Sequence, residues 1–198
     1  WPVSKTSRIA SALYHAGHIT YIRTDSTRTN SDARNKIRNH IEEKYGESHL
    51  GPGVLGSDAK KGASNVQDAH EAIRPTRPEN TSISGADSGW KSLYGLIWAR
   101  FAASQMSTSV RERRDLQASV EGIDKALKGT ASWRIHPGWE AVYAQYHGEV
   151  QTSPPDSPLT DGAVWKIDVS EDNPFMKTDE TKPPKRFSES SIIQQMKK

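Results

Sequence analysis

The sequence predicts an α+β chain, and three observations carry that reading. Residues 1–107 hold stretches with apolar side chains at helical spacing, which makes a helical domain. Residues 108–182 switch to short runs of β-branched and aromatic residues broken by Gly and Pro, which makes a β-rich segment. Residues 183–198 return to a helical pattern and open a further helical domain. A length of 198 residues accommodates two small domains.

The first helix is expected over Ser4–Ala16, where Ile9, Leu13 and Tyr14 share helical spacing, hydroxyl residues suit the N-cap and Gly17 stops the run. Ser31 or Asp32 caps a second helix through Lys44, with Ile37, Ile41 and Tyr45 on one side and Gly46 as its stop. Glu47–Val66 is rich in Gly, Ser and Lys and reads as an exposed connection. Asp87 or Ser88 opens the strongest helix, in which Trp90, Leu93, Tyr94, Ile97, Phe101 and Ala102 follow the i, i+3, i+4, i+7 pattern through about Met106. A stripe this regular belongs to a core. Strands are expected over Ser107–Val120, Thr130–Ile135, Trp139–Gln145 and Ala163–Val169, with a loop at Pro154, Pro155 and Pro158. Trp133, Trp139 and Trp165 suit packing between those strands, with base stacking as the alternative. Thr178–Pro184 reads as a linker, and Ser188-Glu189-Ser190-Ser191 caps a last helix carrying Ile192, Ile193 and Met196.

Composition narrows the chemistry. With no cysteine, disulfides, thiolate metal sites and cysteine nucleophiles are excluded. A formal charge of +3 permits nucleic-acid binding, which must then come from local placement of Arg and Lys. No apolar run approaches the ~20 residues of a membrane span, and the start lacks a secretory pattern, so a soluble intracellular protein is expected. The abrupt start at Trp1-Pro2 and the stop inside a helical run suggest an excised fragment. Scattered acids such as Glu42-Glu43 read as a solvated face, and no metal ligands are expected in this chain.

Two runs carry chemistry. In His18-Ile19-Thr20-Tyr21-Ile22-Arg23-Thr24-Asp25-Ser26-Thr27, an extended backbone puts Tyr21 and Arg23 on one face about 6.5–7 Å apart. Arg23 then holds the oxygens of a phosphate whose phosphorus lies against the Tyr21 oxygen. A phenol is a weak nucleophile at neutral pH and needs a cation or base beside it, for which Arg23, His70 and Arg74 are candidates. The plainer alternative makes Tyr21 a half-buried strand residue and Arg23 its solvated neighbour. In Asp68-Ala69-His70-Glu71-Ala72-Ile73-Arg74-Pro75-Thr76, Pro75 disfavours helix at Arg74, so the run reads as a loop or short turn presenting His70, Glu71 and Arg74. His and Arg are common anion ligands, and a surface loop with an Arg–Glu pair is the alternative.

Taken together, these runs resemble the active-site tyrosine motif and the downstream His-Glu-Ala-Ile-Arg-Pro motif of type IA DNA topoisomerases of the bacterial topoisomerase I kind. The order of the motifs and the gap between them fit that family. So do Ala10-Ser11-Ala12-Leu13-Tyr14-His15-Ala16-Gly17, Leu93-Tyr94-Gly95-Leu96-Ile97-Trp98, Ala103-Ser104-Gln105-Met106 and Lys182-Pro183-Pro184-Lys185-Arg186-Phe187-Ser188-Glu189, so matching segments run nearly the whole length.

The resemblance implies transesterification on single-stranded DNA. Tyr21 attacks a backbone phosphate, forms a 5′-phosphotyrosine and releases a 3′-hydroxyl; after a strand passes, the hydroxyl reverses the attack and negative supercoils relax. One phosphodiester replaces another, so no nucleotide cofactor is needed. Arg23 is assigned to the charge of the transferring phosphoryl group. His70 takes a phosphate or sugar contact, and Arg74 a second backbone contact or a structural pair with Glu71 or Asp25. Asp25 and Glu71 are implied as further residues of the DNA-phosphate site, and Asp25 has as its plain alternative the acceptance of hydrogen bonds from the turn after Tyr21. Residues 1–107 would be the mobile tyrosine domain and 108–182 part of a β-rich arch. Magnesium in the intact enzyme is bound by an acidic Toprim domain whose ligands lie outside this chain, so the isolated chain is expected to be inactive. Implied partners are single-stranded or negatively supercoiled DNA and the remaining domains of a monomeric parent enzyme in the bacterial cytoplasm, at the nucleoid; no membrane is involved. Tyrosine recombinases and type IB topoisomerases fit poorly: here the spacing is His-x-x-x-Arg, and the tyrosine comes first. A non-catalytic single-strand-binding or gate-hinge module is the alternative function.

Overall fold

Helix α1 spans Val3–His15 and ends as its sequence predicts. The Gly17 amide donates to the Tyr14 carbonyl and the His18 amide to that of Leu13, both at 2.9 Å. This Schellman closure places Gly17 at φ 74°, where a glycine avoids the Cβ penalty. At the other end Pro2, not a hydroxyl residue, occupies the N-cap, and no side chain caps the helix. The computed structural model describes residues 1–24, 26–53, 71–146, 148–156, 160–166 and 178–196.

Helix α2 spans Ser31–Tyr45, capped one residue earlier than expected: the Asn30 side chain accepts from the amides of Asp32 and Ala33. A single 3-10 turn follows at Glu47–His49. The expected exposed connection is then partly drawn inward, because Leu50 pairs with Met106 and Gly51 is buried against it. A Cβ on Gly51 would stand 2.3 Å from the Met106 carbonyl oxygen, so only glycine permits this approach. Residues 54–66 of that connection lie outside the described residues.

Helix α3 spans Ser88–Ala103, with Asp87 as N-cap accepting from the Trp90 amide at 2.9 Å. It is the central packing element, as its periodicity predicts. Ile9 and Leu13 of α1, Ala33, Ile37 and Ile41 of α2, and Tyr94, Trp98, Phe101 and Ala102 of α3 form one apolar cluster with Ile19, Ile83, Met106 and Val142. Burying each large aliphatic side chain there contributes about 1.5–3 kcal/mol. The polar tips of Tyr94 and Trp98 are satisfied: the Tyr94 hydroxyl donates to the Asn80 carbonyl at 2.7 Å and Trp98 Nε1 to that of Pro78 at 2.8 Å. These bonds fasten the loop after Pro75 to α3.

Strands β1 (Val110–Val120) and β2 (Ile123–His136) form a two-stranded antiparallel hairpin, so the chain is α+β as expected. β2 begins seven residues before the expected strand. The turn explains this: Gly122 adopts φ 79°, and a two-residue connection pairs the polar stretch after it with β1 whatever its hydrophobicity. Trp139–Gln145, expected as a strand, is instead a 3-10 helix over Gly138–Tyr146. Gly138, at φ 49° and packed on the Thr108 carbonyl, turns the chain, and Val142 enters the core beside α3. Tertiary burial outweighs the β-propensity of Trp, Val and Tyr there. Residues 163–166 form no strand, and the rest of that expected element lies outside the described residues. Helix α4, Glu189–Gln195, carries the expected cap, in which Ser188 and Ser191 bond reciprocally.

By internal packing the chain comprises two units. The first, Trp1–Arg114 with Ser132–Ser153, holds α1, α2, α3 and the base of the hairpin. Trp133 is buried in it beneath the Arg114 guanidinium, 5.2 Å from the ring centroid, whereas Trp139 is exposed. The second, Asp115–Ala131 with Pro154–Lys198, holds the hairpin tip, where the Thr130 hydroxyl donates to Asp115 at 2.9 Å, and α4, whose Ile192, Ile193 and Met196 are exposed. Among the described residues no helix is long and apolar enough to cross a membrane.

Two histidines of the first unit make its stability pH-dependent. Burial, then Lys44, lowers the pKa of His40, which packs edge-on to Trp98; Glu43 opposes weakly. Burial, then the His136 ring 4.7 Å away, lowers that of His49. The unfolded chain therefore binds more protons just below pH 6.5. Stability is present in full above that value and lost as pH falls through the lower folded values. Urea midpoints at pH 7.5 and 5.5 should show the drop, and asparagine at both positions should flatten it.

Candidate active site

The two chemistry-bearing runs meet through the backbone. Ile19 and Pro75 form an antiparallel bridge: the Thr20 amide donates to the Arg74 carbonyl and the Thr76 amide to the His18 carbonyl, each at 3.0 Å. Eight residues on, the Ala72 amide donates to the Arg28 carbonyl at 2.7 Å. Both ends of the loop that follows Thr20 are thus pinned to one segment, residues 72–76.

Thr20 carries this junction, a role that no local sequence pattern reveals. Its hydroxyl donates to the Ala72 carbonyl at 2.8 Å and accepts from the Arg74 amide at 3.1 Å, across more than fifty residues of chain. On the outer side the Thr76 hydroxyl donates to the Gly17 carbonyl at 2.6 Å. Thr20→Val keeps the shape and leaves both Ala72 and Arg74 short of a partner, which should cost about 1–3 kcal/mol. Chemical denaturation of the chain measures it, and an unchanged midpoint would remove Thr20 from the architecture of the site.

Extended structure stops at Thr20, so the expected alternation of Tyr21 and Arg23 along a strand does not continue; the chain bends at Ile22. Hydroxyl side chains shape the loop instead: Thr24 accepts from the Ser26 amide at 3.0 Å and Ser26 from the Arg28 amide at 3.3 Å. Arg34 of α2 closes its far end by donating to the carbonyl and hydroxyl of Thr29. Tyr21 is half-buried, its ring edge-to-face with Tyr14 at 5.6 Å and 86°. Arg23 is exposed and makes no ion pair among the described residues.

Arg74 is buried and its guanidinium is engaged inside the protein: Nε donates to Glu71 at 2.8 Å and Nη1 to the Pro75 carbonyl at 3.0 Å, with Nη2 also on Glu71. Residues 71–74 form a loop, as Pro75 predicts. Asp25 and His70 lie outside the described residues.

Of the six tyrosines, Tyr94 is the least suited to attack a phosphate. Burial, reinforced by Glu79, pushes its hydroxyl up to about 12, and that hydroxyl is committed to Asn80. Burial also raises Tyr146. Tyr21 lies on the doubly anchored loop, two residues before Arg23, whose exposed side chain makes no ion pair among the described residues.

A family model described as DNA topoisomerase matches residues 1–198, the entire chain. The chain belongs to the bacterial DNA topoisomerase family. It is 35% identical to DNA topoisomerase 1 of Thermotoga maritima over 207 residues, covering 99% of this chain and 31% of that protein. It is likewise 35% identical to DNA topoisomerase 1 of Escherichia coli over 198 residues, covering 99% of this chain and 22% of that one. The solved structure of full-length topoisomerase I from Thermotoga maritima superposes with a TM-score of 0.75 at 33% identity, covering all of this chain and 31% of that one. This topoisomerase segment thus spans between about a fifth and a third of the length of these relatives.

Proposed function

We propose that this chain is the segment of a type IA DNA topoisomerase that carries the nucleophile, with Tyr21 attacking a backbone phosphate of single-stranded DNA. The observation that carries the reading is the pinned loop, which holds a half-buried tyrosine two residues before an exposed Arg23 that makes no ion pair among the described residues. In the reaction the Tyr21 oxygen forms a bond to phosphorus and the bond to the 3′-oxygen breaks, leaving a 5′-phosphotyrosine and a 3′-hydroxyl. Arg23 stabilises the charge that gathers on the non-bridging oxygens, where a positioned cation acts most strongly in the transition state. Reversal by the 3′-hydroxyl restores the strand, and conservation of the phosphodiester makes a nucleotide cofactor unnecessary. Relaxation of negative supercoils drives the net change.

Supporting roles follow from placement. Arg74, with Glu71 as its partner, holds the segment to which the loop is pinned, and its backbone takes part in the bridge. His70 and Asp25 are proposed as contacts to phosphate or sugar and to the turn after Tyr21. The intact enzyme uses magnesium, but among the described residues no three His, Cys, Asp or Glu side chains converge to hold a metal. The described residues offer the ion no such cluster, and no step is routed through it. Strand passage and relaxation are assigned to the intact enzyme, and the isolated chain is expected not to relax DNA.

The test is a denaturing gel with magnesium and single-stranded DNA labelled at one end or the other. The 3′-labelled strand should shift with the intact enzyme, because the downstream piece carries the tyrosine at its 5′ phosphate. A shift of the 5′-labelled strand instead would place the protein on a 3′ phosphate and exclude the type IA mechanism.

A further inference from the structure

Helix α1, which leads directly into the Tyr21 loop, is unusual in charge. Its thirteen residues, VSKTSRIASALYH, contain no acid, whereas α2 carries Asp32, Glu42 and Glu43. Ile9 and Leu13 bury one side of α1. On the opposite side Ser4, Arg8, Ser11 and His15 follow one another at i, i+4, i+7 and i+11, a single stripe of hydrogen-bonding side chains, with Arg8 and His15 exposed. Arg8 has no carboxylate partner among the described residues.

The stripe ends in an aromatic step beside the nucleophile. Tyr14 is 37% exposed, lies 5.4 Å from the His15 ring and meets the Tyr21 ring edge-on at 5.6 Å. The negative end of the helix dipole is partly satisfied here by backbone amides, which lessens its opposition to an anion. The carbonyls of Ala12, Leu13, Tyr14 and Gly17 all accept hydrogen bonds from Ala16, His18, Gly17 and Thr76.

Building on the function proposed above, we infer that the outer face of α1 is a track for the single-stranded DNA adjoining the scissile phosphate: Arg8 takes a backbone phosphate, and a base stacks on the exposed face of Tyr14. Cations that follow the backbone and rings that take bases are the two elements by which proteins hold single strands without reading sequence. The absence of any carboxylate from α1 supplies the charge complementarity, and contact with Tyr21 sets the direction of the track.

The test is fluorescence anisotropy of a fluorescein-labelled oligothymidylate bound to the chain, across a salt series. Arg8→Gln should lower the slope of log affinity against log salt by about 0.7, the value of one phosphate contact to a single strand. Lys36→Gln, which removes a cation from α2, should leave it unchanged. Tyr14→Leu should weaken binding by at least about fivefold, the lower range for loss of one stacked base, and Tyr14→Phe should restore it. Equal slopes for Arg8→Gln and the unaltered chain, equal losses for Arg8→Gln and Lys36→Gln, or failure of Tyr14→Phe to restore binding would each overturn the track. So would failure of the unaltered chain to bind, while the assignment of Tyr21 would still be decided by the adduct gel.

Discussion

Tyr21→Phe in the intact enzyme should abolish the covalent protein–DNA band and, with it, relaxation of supercoiled DNA. The substitution removes the one oxygen atom that the reaction needs and keeps the ring. The phenyl ring keeps its edge-to-face contact with Tyr14, and the loop remains pinned through backbone bonds that do not involve the Tyr21 side chain. Binding of single strands should therefore survive, because it rests on phosphate contacts and stacking. Loss of the adduct with binding retained separates chemistry from structure. Tyr14→Phe is the matched control: it deletes the hydroxyl of the neighbouring tyrosine, whose ring centroid lies 5.6 Å from that of Tyr21, and should leave the band in place. If the two variants exchanged phenotypes, Tyr14 would be the nucleophile and the reading of the loop would fail.

Glu140→Ala should destabilise the first unit by about 3 kcal/mol, the low end of the cost of breaking a buried ion pair. Glu140 is buried at the base of the hairpin, where Arg111 Nη2 lies 3.0 Å from both carboxylate oxygens and Arg134 Nη1 lies 3.1 Å from one. The carboxylate joins three elements: β1 through Arg111, β2 through Arg134, and the 3-10 helix that packs on α3. Removing it leaves two guanidinium groups without their shared counter-ion. The low end applies because the Arg111 side chain is 42% exposed and keeps solvent as a partial substitute. Burial by itself disfavours ionisation of Glu140, but neighbouring Ser109 and the two guanidinium groups outweigh it and hold the carboxyl below its ordinary 4.5. Its contribution is thus present in full above that pH and is lost as pH falls through the lower folded value. Denaturation midpoints of the unaltered chain and of Glu140→Gln should converge on acidification below pH 4.5. A constant gap would mean that the packing of the side chain matters, not its charge.

The helices were legible because their evidence is local. The spacing of Ile9 and Leu13, of Ile37 and Ile41, and of Tyr94, Phe101 and Ala102 reports one buried face each, and the structure buries all of them. Caps were legible to within a residue or two: Asp87 and Ser188 serve as read, while Asn30 and Pro2 displaced the expected capping residues. The β-rich half was harder. Trp139, Val142 and Tyr143 carry strand propensity, yet Gly138 and the proximity of α3 coil that segment into a 3-10 helix. The polar stretch after Gly122 carries no alternation, and a tight turn pairs it nonetheless.

The site divides in the same way. Residue types and their order already separated a tyrosine followed by arginine from a His-Glu-Ala-Ile-Arg-Pro loop, because nucleophile, cation and anion ligand are chemical identities written in the side chains. Their meeting was not written there. The Ile19–Pro75 bridge, the double hydrogen bond of Thr20 and the inward turn of Arg74 toward Glu71 each join residues through backbone and burial, and one-dimensional spacing holds no record of such pairings. Helical periodicity and side-chain chemistry survive in a list of residues. The choice of which distant amide completes a loop belongs to the packed chain, where every buried polar group must find a partner.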